Sequence, residues 1–260
     1  MKKNILTLLF AFTLIASAQW HLDFDEQFAS ASSAFTPLSL APSLWLDASD
    51  ASTITLTGTS VTNWVDKSGA GNHAKFVGAS TTWPTACATQ QNNRCTILFD
   101  GGDYLGTGFL SNTGTTVIAV VKRTAGEILC GARDVSSTRS FWGSDGGGAF
   151  RAGIGNDATI VSTSQWGSVY HVFGGRYDGA NVVLRDNGVQ TKTQAQNGSG
   201  INTTAGYYIG AVYLLDLSSP AAYLTGYVGE ILCFRRALTD AEMKQVETYL
   251  GTRWGITVAP

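Results

Sequence analysis

Between Val169 and Gln190 the chain reads VYHVFGGRYDGANVVLRDNGVQ, with two turn signals, Asp178-Gly179 and Asn187-Gly188, on either side of the alternating run Asn-Val-Val-Leu-Arg. Tight two-residue turns need positive φ, which glycine adopts freely and asparagine or aspartate tolerate. The chain must therefore double back there as antiparallel hairpins. Other segments fit the same scheme. TILFDGGDYL (Thr96 to Leu105) runs into Asp100-Gly101-Gly102, and TTVIAVVKR (Thr115 to Arg123) is a near-continuous apolar run, as for a strand buried on both faces. Thirty glycines with only five prolines agree with many strands joined by tight turns. The expected class is all-β.

A single convincing helix is expected, at the end of the domain. Thr239 is a good N-cap and Glu242 completes a capping box, with Leu238 and Met243 placed for a hydrophobic staple. Met243, Val246 and Leu250 share one face, and Gly251 stands where a left-handed terminal residue is expected.

The first 18 residues, MKKNILTLLFAFTLIASA, have a basic start, an apolar run and Ala16-Ser17-Ala18 as a small-residue cleavage site, which reads as an export signal. The apolar run is short for a permanent membrane anchor, the competing reading. Residues 19–42 are Ala/Ser-rich and then punctuated by proline, as in an extended arm, and the domain is expected over 43–260. The 260 residues are 44% hydrophobic, enough for a real core, yet only 14% are charged and the net charge is -2. So neutral a chain, without a Lys/Arg run, gives no electrostatic footprint for nucleic acid.

Cys87 and Cys95 flank ATQQNNR, and a disulfide closing that short loop suits an exported protein. Cys130 and Cys233 each end a GEILC run and read as small buried hydrophobes, a strand-to-strand disulfide being the alternative. No CxxC occurs, so zinc and thioredoxin-like chemistry have no support.

SLWLDASDASTIT, VTNWVDKSGAGNHA, ILFDGGDYL, the Val169–Gln190 hairpins and GYVGEILCFRRALTDAEMKQVETYLGTRWGI, in this order, resemble the laminin-G-like, concanavalin A-like lectin/glucanase superfamily. The likeness spans about Ser43 to Ile256 and implies a two-sheet antiparallel jelly-roll sandwich with a short C-terminal helix. The superfamily holds carbohydrate-binding modules, adhesion domains, virion surface proteins and some glycoside hydrolases, so function must be argued from sites.

Glycoside cleavage needs two carboxylates held about 5 to 9 Å apart. The alternating E-x-D-x-x-E run of the glucanase branch has no match in the domain; the nearest, DFDEQF with Asp23 and Asp25, lies in the arm. Ser199 in QNGSG lacks the first glycine of a nucleophile elbow. Of the histidines His21, His73 and His171, the last lies in a strand-like run and reads as structural. No enzyme is expected.

Relatives of this fold often carry a structural calcium, and the resemblance implies one here, held by Asp66, Asn72 and Glu230 with carbonyls near Gly71. Without a metal, Asp66 followed by Ser68 and Gly69 makes an Asx-type turn by itself. Sugar binding needs exposed aromatic rings with polar neighbours. Trp45 and Trp64 read as core; Trp83, beside Pro84, and Trp142, in SFWGSDGGG, are the loop candidates, with Asp145 and Arg151 as polar partners.

Two functions compete. One is a non-catalytic, secreted or cell-surface module that binds a glycan or a surface protein. The other is a structural virion protein, a phage capsid decoration or tail component, whose arm ties it to neighbouring subunits of the capsid, tail or surface assembly. A glycoside hydrolase is a minor third.

Overall fold

The computed structural model describes residues 35–260 apart from 134–138, 156–159, 197–204 and 215–218. The expected leader, the arm up to residue 34, His21, Asp23, Asp25 and Ser199 lie outside the described residues. Residues 37–260 form one compact unit, and Pro37, at the head of a 3₁₀ turn, Pro37–Leu40, is buried.

Strands are numbered β1 to β19 in chain order. The first sheet runs β5 (Thr85–Gln91), β6 (Arg94–Asp100), β19 (Leu224–Phe234), β8 (Thr115–Gly126), β13 (His171–Tyr177), β14 (Asn181–Asp186) and β15 (Val189–Ala195). β1 (Leu44–Asp47) follows β6 along the same edge of β19. The second sheet runs β2 (Ile54–Thr57), β3 (Ser60–Trp64), β4 (Ala74–Phe76), β7 (Leu105–Gly106), β16 (Tyr208–Ile209), β9 (Ile128–Arg133), β10 (Arg139–Ser144), β11 (Ala149–Ile154) and β12 (Ile160–Gln165). The short hairpin of β17 (Val212–Leu214) and β18 (Ser219–Ala221) joins this sheet through a parallel pairing of β17 with β9. A single bridge, Ser60 to Thr85, links the two sheets. The result is an antiparallel jelly-roll sandwich.

β8 shows why its run Val117–Val121 is apolar at every position. Val117, Ala119 and Val121 enter the interior with Trp64, Trp142, Phe150 and Phe173, while Ile118 pairs with Gly174 on the opposite face. That outer face is covered by helix α1 (Asp240–Trp254), whose Met243, Val246, Leu250 and Trp254 are fully buried. The two glycines of β13 divide this labour. A Cβ on Gly174 would lie 2.8 Å from the Glu247 carboxylate of α1, and one on Gly175 would overlap the Trp142 ring inside the sandwich. Both layers therefore approach β13 more closely than any side chain would allow.

The Thr239/Glu242 capping box is present, but the helix does not end at Gly251. It continues to Trp254 and stops at Gly255, φ 65°. Gly251 lies inside the helix because the chain folds back over it: a Cβ there would sit 2.7 Å from the Ile256 carbonyl oxygen. Among the described residues no helix is long and apolar enough to cross a membrane.

Cys87 and Cys95 are disulfide-bonded. The stretch between them is not an open loop. It continues β5 and β6 around a two-residue turn at Asn92 and Asn93, φ 49° and 58°, the conformation that right-twisted hairpins favour. Cys130 and Cys233 are free and fully buried, and burial, with a hydrogen bond between the two thiols second, holds the Cys233 thiol well above its ordinary range.

Candidate functional site

The structure does not gather the four residues expected to bind sugar. Trp142 is fully buried in the interior, where its indole donates to the Tyr207 hydroxyl at 3.2 Å, so it cannot stack on a ligand. It lies in β10, not in a loop. Trp83 is half-buried against Phe76, ring centroids 4.9 Å apart. Asp145 is exposed but uses Oδ1 to accept the Ala149 amide in the β10–β11 turn. Arg151 pairs with Glu127 at 3.2 Å and lies over the buried Phe141 ring. The hollow between them holds only about 60 Å³, far below the several hundred of a ligand pocket.

Asp66 and Asn72 do meet. Oδ1 of Asp66 accepts the amides of Trp45 and Ser68, both at 2.8 Å, and Oδ2 accepts the Ser68 hydroxyl and the Asn72 amide. The Asn72 side chain in turn donates to the Ser43 carbonyl. Glu230 is elsewhere. Its carboxylate points under α1, where it accepts the indole N–H groups of Trp45 at 2.7 Å and Trp254 at 2.8 Å and pairs with Arg253 at 3.2 Å. A carboxylate offers about four acceptor positions, and on Asp66 all are filled by protein donors. The three residues do not fit a calcium ion. Thermal melts with EDTA and with added calcium are expected to superimpose; a rise in melting temperature with calcium would show that an ion displaces the Asp66 turn contacts.

A larger concavity lies on the outer face of the first sheet. Trp254, at the end of α1, rests on Gly229 of β19, so the earlier half of β19 and the end of β8 are left uncovered beyond it. There a cleft of about 530 Å³ opens. Thr89, Gln90 and Gln91 of β5 form one wall; Ser168, Val169 and Tyr170, before β13, form another. Asn187 and residues 255–257 close one end, and Lys122 of β8 stands at the floor.

Each wall is fixed from behind. The disulfide staples the β5–β6 hairpin, and Gln91 and Arg94 donate to the Trp254 and Arg253 carbonyls at 3.0 and 2.8 Å, satisfying helix-end acceptors. His171 bonds Asp186 through Nδ1 at 2.8 Å and accepts the Gly167 amide at 3.3 Å, holding the loop that presents Tyr170. The Tyr170 hydroxyl meets Thr96 Oγ1 at 3.2 Å, and burial raises its phenol above the ordinary value, keeping it protonated. Lys122 Nζ lies 5.8 Å from the Tyr170 ring and 5.6 Å from that of Tyr227, its register partner on β19.

Half-exposed rings beside amides and hydroxyls suit a polyhydroxylated ligand. No aspartate or glutamate lines the cleft, so no carboxylate pair stands there for glycoside cleavage. Nothing in the local sequence marked these residues as one site.

No family model matches the sequence, and no curated protein matches it. Among solved structures the chain is similar to domain 4 of AbnA, a GH43 extracellular arabinanase from Geobacillus stearothermophilus, in complex with arabinotriose. There the TM-score is 0.57 at 13% identity, over 79% of this chain and 98% of that one. The binding domain of Paraclostridial Mosquitocidal Protein 1 aligns with TM-score 0.58 and 11% identity, over 84% and 56%. A GH54 α-L-arabinofuranosidase soaked with a nitrophenyl arabinofuranoside gives 0.58 and 13%, over 75% and 51%, so the alignment spans about half the length of these last two. These likenesses show the fold, an antiparallel jelly-roll sandwich.

Proposed function

We propose that the protein is a non-catalytic glycan-recognition module acting outside the cell or on a particle surface, with the cleft beside the end of α1 as its ligand site. The observation that carries this reading is the cleft's lining, Lys122, Tyr170 and the Gln90 amide with no carboxylate among the described residues, together with the Tyr227 ring, which also lies beside Lys122. Two similar folds support it, one an arabinanase domain in complex with arabinotriose and the other the binding domain of a toxin. The export-like leader and the extracellular origin of that arabinanase support the location.

The full chain should be screened on a glycan array, and the best ligand then titrated calorimetrically. Tyr170→Ala is expected to weaken binding about tenfold, the loss of one stacking ring, with little change in melting temperature. Flat arrays, or a bound glycan indifferent to both Tyr170→Ala and Gln90→Ala, would overturn the assignment. Release of reducing sugar from any bound glycan would replace it with a hydrolase.

A further inference from the structure

Lys122 is the only cation among the cleft's lining residues, and among the described residues it forms no ion pair with a carboxylate. The contrast with Lys67 is instructive. That ammonium also sits over an aromatic ring, 4.8 Å from Trp45, but is neutralised by Asp47 and Asp50 at 2.9 and 2.8 Å. Lys122 has the rings without the acids. Its half-buried position in a concave wall weakens solvent screening, so an anion entering the cleft feels it more strongly than it would a surface lysine. Beside it, Gln90 and Gln91 carry side-chain amides able to hydrogen-bond sugar hydroxyls or a carboxylate oxygen.

We propose that the cleft selects an acidic glycan, with a sugar-ring carboxylate seated against Lys122 and a neighbouring ring face on Tyr170 or Tyr227. This rests on the cleft being the glycan site. Uronic and sialic acids share that chemistry, and separate arms of the test distinguish them.

The full chain would be titrated with oligogalacturonates, with sialylated oligosaccharides, and with the methyl-esterified or desialylated counterpart of each. At least one acidic ligand is expected to bind at least tenfold more tightly than its neutral counterpart, and the preference is expected to shrink as salt rises. Lys122→Gln is expected to remove most of that preference by weakening the acidic ligand far more than its neutral counterpart; Lys122→Arg is expected to retain it. If neutral counterparts bind equally well and lose affinity on Tyr170→Ala, the acidic preference is overturned while the cleft stands as the glycan site. If no ligand binds in the titrations or on the array, both fail. An acidic preference that survives Lys122→Gln would place the anion elsewhere and overturn the role of Lys122.

Discussion

Glu230→Ala is expected to destabilise the fold by about 3–5 kcal/mol, because it leaves several buried donors without their acceptor. The carboxylate is fully buried and takes the indole N–H groups of Trp45 and Trp254, the Tyr249 hydroxyl at 3.3 Å and the Arg253 guanidinium. Arg253 keeps Asp47 as a second partner at 2.7 Å, so the two indoles bear most of the loss. Burial, with the charge of Asp47 second, pushes the Glu230 carboxyl up to about 7. The folded chain thus holds this proton more tightly than the unfolded one, so the group's contribution is full below its unfolded value and lost as pH rises through 7. Denaturant melts should therefore show a larger cost for Glu230→Ala near about pH 5 than near about pH 8. An equal or smaller cost at the lower pH would contradict this account of the site.

Trp142→Ala is expected to cost a comparable amount, about 3–5 kcal/mol, as for other buried tryptophans replaced by alanine. Its ring fills the space above Gly175, and its N–H reaches the Tyr207 hydroxyl, which Ser140 also holds. Gly175→Ala alone should cost about 1–3 kcal/mol through overlap with that ring. The double variant should lose less than the two costs added, because the new methyl group enters the space the indole vacates. Chemical denaturation of the four proteins gives the coupling energy directly; additivity would mean that the two sites do not touch. Glycan affinity per folded molecule should not change with Trp142→Ala, which separates a core residue from a ligand contact.

The hairpins and the capping box were legible because each is written in adjacent residues. Asn187 and Gly188 have φ 48° and 82°, as their turn signal requires, and Thr239 and Glu242 satisfy each other's backbone three residues apart. Trp142 was misplaced because every residue from Ser140 to Ser144 is buried, which leaves no alternation to mark a strand. Glu230 was read as a ligand because the resemblance implied a structural calcium. Its carboxylate instead takes indole donors from opposite ends of the domain, Trp45 and Trp254. Gly251 resembled a helix terminus because glycine also serves close packing, here against the returning chain. The cleft was invisible for a related reason: its walls come from β5, the turn before β13, the β14–β15 turn and the segment after α1, each ordinary in its own surroundings.

β19 is the strand that β1, β6 and β8 all require as a neighbour, and each of them lies far before it in the chain. Until β19 pairs, those strands have open edges, and the apolar run of β8 is the segment most exposed to association with other chains. Such long-range closure makes folding slow. A chain awaiting its final strand is also still extended, the state in which a translocation channel or a chaperone can hold it.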